Sequence, residues 1–509
     1  MKLGPMAAVV AISTTAALVL TGCGGGTNGP AAAGGPKATT LTLGATADVR
    51  SWDPAQAHVG HTLQPYQAAY DSLILREPDG KLSPMLATEW KYNDTNTVLT
   101  VDLRSGVTFS DGAKFDAAAA KANLDHFKKG NGPQMAQLIA VSEVKVVDDD
   151  TIDINLTSPD PALEFYLSQA AGLMGSPTAL GTEAIKTEPV GTGPYVMDKA
   201  ATVKDGQSVF NAREDYWNKD LQKYSKVTFK ILQDLTARTN ALVSGQVDAT
   251  LLDPKAGKQA AGAQMTLVQS QVDWQGLLLL DRDGTKVPAL KDVRVRQAIN
   301  HAFDRKTILE QVLLGEGETT SQPFGKDSGA WMEELENRYP YDPAKAKALL
   351  KEAGYETGVV LEMPVITGSE TQLSMVKQQL ADIGITLNLG GVPTTTYTSD
   401  IAAGKFTILY ANLFQGEPWV AINQLISTRA LYNPFKNTTP ELQAKITAVQ
   451  EGGDDAKKLS QEVNKYVVEQ AWFAPLYRVQ QMYFHNNKVN VKPQIQQAVP
   501  SIYNYSPAS

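Results

Sequence analysis

The sequence predicts an α/β protein of more than one domain. Two observations carry that expectation. The chain has 509 residues with 43% apolar content, and single hydrophobic cores stop growing well below that length. Strand and helix patterns also alternate along it without a simple repeat, most clearly in the second half, as in an α/β lobe.

The elements follow in order. In VLTVDLR, Leu99, Val101 and Leu103 fall on one face of an extended segment, with Thr100 and Asp102 on the other, which describes a half-buried strand. Asp111-Gly112 predicts a turn. Asp116 suits the N-cap of a helix carrying Ala120, Leu124 and Phe127. In VSEVKVVDDDTIDINL, Val144 and Val146 lead in, Asp148 to Asp150 turn, and Ile152, Ile154 and Leu156 lead out, a hairpin. In GTGPY, Gly191 and Gly193 read as positions whose backbone angles other residues resist, and Pro194 stiffens the exit. No Lys-Ser/Thr follows the glycines, as a Walker loop would require, so the phosphate-loop reading is weak.

The later helices are cleaner. VRVRQAINHAF sets Val295, Ala298, Ile299, Ala302 and Phe303 at helical core spacing, and Asp304 caps the next helix. Arg294 and Arg296 are expected on polar or domain-facing sides, and His301 in a structural place. Asp342 with Pro343 starts a helix whose stripe is Ala346, Leu349, Leu350 and Ala353, and Gly354 stops it. Leu373, Val376, Leu380 and Ile383 share the next helical face, with Gly384 as the stop before a strand. SDIAAGKFTILYANL is a further helix-to-strand step.

Composition removes several functions. The formal charge is −8, against a nucleic-acid binder that needs a basic face. A single cysteine excludes an internal disulfide and any multi-cysteine metal site, and five histidines leave little for a histidine cage. There is no G-x-S-x-G elbow and no H-E-x-x-H helix. A two-carboxylate glycosidase stays open on sequence alone. No cofactor is expected.

The chain start is a different material. Met6 to Leu20 is an uncharged, mostly apolar run of 15 residues behind Lys2. A membrane span needs about 20 residues, so the run suits a signal-peptide core. LTGC, Leu20 to Cys23, resembles a bacterial lipoprotein lipobox. The resemblance implies a signal peptide over 1–22 and a mature chain starting at Cys23, acylated with diacylglycerol and an amide-linked chain such as palmitate. Residues 23–40 then form a flexible tether. As a coil its Gly24–Thr40 stretch would span roughly 20–25 Å, holding the body outside the cell and close to the membrane.

Several segments together resemble the extracytoplasmic solute-binding proteins of ABC importers, family 5, the class with dipeptide, oligopeptide and nickel binders. They are AAYDSLILREPDGKLSPMLATEW, LTVDLRSGVTFSDGAKFDAAAA, EPVGTGPYVMDK, NAREDYWNKDL, DLTARTNALVSGQVDAT, ALKDVRVRQAINHAFDRKTILEQVLLGEG and YDPAKAKALLKEAGY. The resemblance implies a type II, two-lobed periplasmic-binding-protein-like fold with an inserted α+β domain. Lobe 1 takes 41–60, 190–285 and 470–509, the inserted domain 61–189, and lobe 2 286–469. It implies a monomer that captures a peptide or similar small solute and delivers it to membrane permease subunits, and that is not an enzyme.

The family's peptide binders hold the ligand's amino terminus with an Asp just after a strand, before an acidic-Pro pair. In FTILYANLFQGEPWVAINQL that Asp would fall near Phe414, before Glu417-Pro418, and no Asp occurs between Asp400 and Asp454. The upstream Arg that grips a dipeptide's carboxylate is also missing, since no Arg occurs between Arg338 and Arg429. Glu417 is the expected substitute carboxylate. Otherwise the cleft suits an oligosaccharide, an aromatic compound or a metal complex, with Trp419, Phe414 and Trp274 beside Gln275 as stacking surfaces. Trp52 is expected near the ligand, and His58 with His61 makes a two-histidine metal candidate.

Overall fold

The computed structural model describes residues 39–366, 373–453 and 455–508. Cys23, the apolar run and the tether up to residue 38 lie outside the described residues.

Two long antiparallel strands, Thr266–Leu279 and Phe473–His485, form the spine of a nine-stranded sheet. Their outer halves, Thr266 to Gln271 against Gln480 to His485, continue into Ala249–Leu252, Thr40–Ala45, Lys226–Ile231, Gln207–Ala212 and Tyr195–Met197. Thr40–Ala45 runs parallel to both of its neighbours. Their inner halves instead pair with Ile408–Phe414 on one side and Gly317–Thr319 on the other. Ile408–Phe414 falls within the segment expected for lobe 2, so the sheet crosses the expected lobe boundary. Between the halves the register shifts at Gln271/Trp274 and again at Gln275/Gly276. Such bulges bend a strand and re-aim a side chain. They fall where one pair of strands serves two packing environments.

The strand Val98–Leu103 shows the expected alternation: Leu99, Val101 and Leu103 are buried, while Asp102 is exposed. It belongs to a four-stranded antiparallel sheet with Ala87–Tyr92, Thr151–Leu156 and Val141–Val146. The last two strands are the expected hairpin, but Val146 is exposed because the strand leaves the core at its turn end. The helix Ala117–Lys129 covers this sheet, with the Asp116 carboxylate accepting the Ala119 N–H.

A second core surrounds the helices Val293–His301 and Ser374–Asp382 and the parallel pair Val359–Ile366 and Ile385–Val392. Val295, Ala298, Ile299, Ala302 and Phe303 are all buried there, as are Leu373, Val376, Leu380 and Ile383. Each of the larger side chains among them contributes roughly 1.5–3 kcal/mol by leaving water. Asp304 and Asp342 cap the helices Arg305–Leu313 and Pro343–Glu352, and Gly354 and Gly384 follow their helices at φ 85° and 93°. Arg296 is buried and donates to the carbonyls of Leu290, Lys291 and Gln470, while Arg294 pairs with Asp292 at the surface. His301 bonds the Pro340 carbonyl inside the fold.

Gly191 and Gly193 carry a correction. Neither has a positive φ. They are small because backbone passes against them: a Cβ on Gly193 would lie 2.4 Å from the Ala69 carbonyl carbon, and one on Gly191 2.3 Å from the Ala69 oxygen. Close approach, not backbone angle, demands glycine there.

Candidate solute-binding cleft

A cavity of about 1370 Å³ opens beside the bulged middle of the long strands. Its wall draws on distant parts of the chain. Thr46 to Ser51 follow the strand Thr40–Ala45. Gln137, Asp160, Phe165 and Tyr166 come from the segment expected as the inserted domain. Val272 and Asp273 come from the bulge, Asn412 and Phe414 from the strand Ile408–Phe414, and Trp419, Gln424 and Arg429 from the residues after it. The volume exceeds the range of roughly 300–1,000 Å³ common for small-molecule pockets, so it can take a solute of several residues' size. The lining is rich in amides, with Gln134, Gln137, Gln169, Asn412, Asn423, Gln424 and Gln497 among others. Side-chain amides both donate and accept, which suits a ligand with its own peptide groups.

The aromatic expectations divide. Trp419 and Phe414 line the cavity. Trp419 sits on the helix Pro418–Leu425, largely buried, with its indole N–H hydrogen-bonded to Asp160. Trp274 is fully buried against Phe473, on the opposite strand face from Asp273, and is not among the lining residues. Gln275 accepts from the Tyr477 hydroxyl at 2.6 Å and is also absent from the lining. Trp52 packs between Tyr66 and Phe210 in the core, so its neighbour Ser51 lines the cavity in its place.

Glu417 is engaged by its own helix. It caps the helix Pro418–Leu425 by accepting the Val420 N–H at 2.8 Å, and it is not among the lining residues. Burial pushes its carboxyl up to about 7, with the nearby Asp160 charge adding to the rise. His58 and His61 both line the cavity. No group of three or more His, Cys, Asp or Glu side chains is arranged as metal ligands among the described residues.

The charges of the cleft come from residues that sequence reasoning passed over. Asp273 stands directly opposite Phe414 in the antiparallel register, so a carboxylate reaches the strand end where the family's Asp was expected, from the neighbouring strand. Its one hydrogen bond among the described residues is from Asn412 Nδ2 at 2.9 Å. Burial pushes its carboxyl up to about 6, and Asn412 only partly offsets this. Asp160 is likewise pushed up to about 6 by burial, against the pull of the Ala162 N–H and Trp419. Arg429 also lines the cavity, exposed and without an ion pair or hydrogen bond among the described residues. The one available signal was the alternation in QVDWQG, which sets Asp273 and Trp274 on opposite faces without saying which face meets the cleft.

The middle region of the bacterial extracellular solute-binding proteins, family 5, matches residues 81–429. The chain belongs to this family. Among curated relatives, the glutathione-binding protein GsiB of Salmonella paratyphi A is 33% identical over 350 residues, 64% of this chain. The match spans 66% of that relative's length. Among solved structures, HbpA2 from Haemophilus parasuis superposes with a TM-score of 0.81 at 21% identity, over 92% of this chain and 100% of that one. An ABC transporter substrate-binding protein from Sinorhizobium meliloti superposes at 0.72 with 26% identity, over 92% and 100%. The family fold is thus the two-lobed type II binding-protein fold, and GsiB and the Sinorhizobium meliloti protein are binding proteins. Among the described residues, no helix is long and apolar enough to cross a membrane.

Proposed function

We propose that this protein captures a small peptide or peptide-like zwitterion in the cleft and hands it, chemically unchanged, to the permease of an ABC importer. One observation carries the reading: the amide-lined cavity presents both a carboxylate with a single hydrogen bond, Asp273, and a guanidinium, Arg429, neither with an ion pair among the described residues. Opposite charges held in one partly desolvated cleft complement a zwitterion. This revises the expectation of a neutral solute drawn from the missing Asp and Arg, because the charges enter from other elements. The glutathione-binding relative points to the same ligand class. Closure around the solute would follow from contacts made better in the closed form, with the bulged strands as the bending element. Mass spectrometry of small molecules co-purified with the protein tests the reading. It predicts an intact zwitterionic peptide at one equivalent, and recovery of cleaved product would contradict it.

The lipobox supplies the anchor in this reading. Acylation of Cys23 would hold the protein at the outer face of the cell membrane, since two or more acyl chains bind firmly where one does not. Cys23→Ala is expected to move the protein from the membrane fraction to the medium. Unchanged sedimentation with membranes would exclude the anchor.

A further inference from the structure

We infer that the seam between the segment 61–189 and the residues around the helix Pro418–Leu425 is a proton-operated latch: it shuts the empty cleft in mild acid and releases it at neutral pH. The latch needs no solute, so it stands apart from the capture function proposed above.

The seam is polar and borders the cavity. The Gln450 side-chain amide donates to the Ser158 hydroxyl at 3.2 Å and to the Pro159 carbonyl at 3.1 Å. Asn96 donates to the Glu451 carbonyl at 2.7 Å. The Trp419 indole bonds the Asp160 carboxylate. Arg76 donates to Gln496 at 2.7 Å, and Gln496 donates in turn to the Asp327 carbonyl at 2.9 Å. Asp160, Trp419, Gln450 and Gln496 also line the cavity. The two sides of the seam belong to different halves of the long strands. Gln64 is tied through the Tyr505 hydroxyl to Tyr483 in the outer half. The helix Pro418–Leu425 instead follows Ile408–Phe414, which pairs with the inner half. Bending at the break between the halves therefore parts the seam.

The seam also encloses charge that it does not pair. Asp160 is buried and Glu417 partly so, and neither has an ion pair among the described residues. The cation beside them is Arg76, buried over the Phe165 ring at 4.9 Å. Its Nε and Nη1 have no hydrogen bond among the described residues, although the charges of Asp327 and Glu417 act on it. Glu164, Tyr92 and Tyr166 face the two carboxyls from the segment 61–189. Closing thus shuts in carboxylates without a paired cation, and burial penalises that ionised form. It pushes Asp160 up to about 6 and Glu417 up to about 7, and it raises Glu164 as well. Tyr92 and Tyr166 are pushed upward and stay protonated, while Arg76, lowered to about 10, stays charged. An open seam returns Asp160 and Glu417 to water and to their ordinary values of 3.8 and 4.5. The closed form therefore holds its protons more tightly. Its advantage is full below those ordinary values and is lost as pH rises through about 6 and about 7.

Small-angle X-ray scattering of the full chain, freed of co-purified solute by unfolding and refolding, reads the latch. The radius of gyration is expected to be smaller at pH 5.5 than at pH 8, with the change centred between about 6 and about 7. Asp160→Asn combined with Glu417→Gln fixes the uncharged forms in nearly the same shape, and it is expected to keep the small radius at both pH values. Asn96→Ala combined with Gln450→Ala removes the neutral bonds of the seam and is expected to enlarge the radius at pH 5.5. Melting temperatures establish that both double variants fold. A radius that ignores pH in the natural protein, one that changes equally in Asp160→Asn with Glu417→Gln, or one unaltered by Asn96→Ala with Gln450→Ala overturns the latch. Should tripeptides fail to bind while the radius still follows pH, the capture function falls and the latch stands.

Discussion

Glu336→Ala is expected to destabilise the fold by about 3–5 kcal/mol, the cost of leaving a buried charge without its partner. Arg478 is fully buried, and Glu336 accepts from both of its terminal nitrogens, while Arg478 also donates to the Phe324 carbonyl at 3.0 Å. Gln322 and Trp331 donate to the same Glu336 oxygen, at 2.7 and 3.1 Å. Burial works against the Glu336 charge, yet its bonds and the Arg478 charge hold its carboxyl below the usual range. The stability it adds is present above the unfolded value of 4.5 and is lost as pH falls through the lower folded value. Arg478 pairs with Trp274 at the register shift, one residue from Asp273, so solute affinity is expected to fall together with stability. Removing both charges with Glu336→Leu and Arg478→Met is expected to recover only part of the loss, because the Gln322 and Trp331 donors and the Phe324 carbonyl still lose their partners. Urea unfolding at pH 7 reads both effects, and an unchanged midpoint in Glu336→Ala would dismiss this pair as a fixture of the strand break.

Asp71→Ala is the second large effect, expected at about 3 kcal/mol or more. Asp71 is fully buried and gathers three donors: Tyr216 at 2.9 Å, Tyr503 at 3.1 Å and the Trp217 indole at 2.8 Å. It thereby ties the helix Leu63–Ala69 to the segment after Gln207–Ala212 and to the chain end. Alanine would orphan all three donors and leave a void. Asparagine is expected to be milder. Its oxygen can face the indole, which only donates, while its NH₂ faces the two hydroxyls, which can turn to accept.

The same carboxyl makes stability depend on pH. Burial pushes it up to about 6 against the three hydrogen bonds, so the folded state holds its proton more tightly than the unfolded chain does. That contribution is fully present below the unfolded value of 3.8 and is lost as pH rises through about 6. Among the described residues Asp160, Glu164, Asp273 and Glu417 share the direction. The unliganded protein is therefore expected to melt higher at pH 5.5 than at pH 7.5, with a smaller difference in Asp71→Asn. A melting temperature that instead rises with pH in this window, equally in both proteins, would show that other groups dominate.

The elements were legible in the sequence where local chemistry decides them. Asp116, Asp304 and Asp342 each cap the helix that their position announces, and the period of Leu373 to Ile383 matches the buried face. The cleft was less legible because strand register creates it. Asp273 and Phe414 lie far apart in the chain and become neighbours only through antiparallel pairing. Searching the Phe414 segment for an acid therefore found only Glu417, which the helix start claims. Aromatic character also misled at Trp274 and Trp52, since a large ring serves a core as well as a ligand, and both rings fill cores here. At Gly193 the residue type was informative but its reason was tertiary, a backbone that would lie 2.4 Å from an added Cβ.

Capture without chemistry is the central claim, and native mass spectrometry of the protein incubated with unprotected tripeptides tests it most directly. The account predicts one peptide per chain, released on denaturation with its mass unchanged after prolonged incubation. Hydrolysed peptide in the released fraction, or saturating peptide that leaves the mass of the protein unaltered, would contradict it.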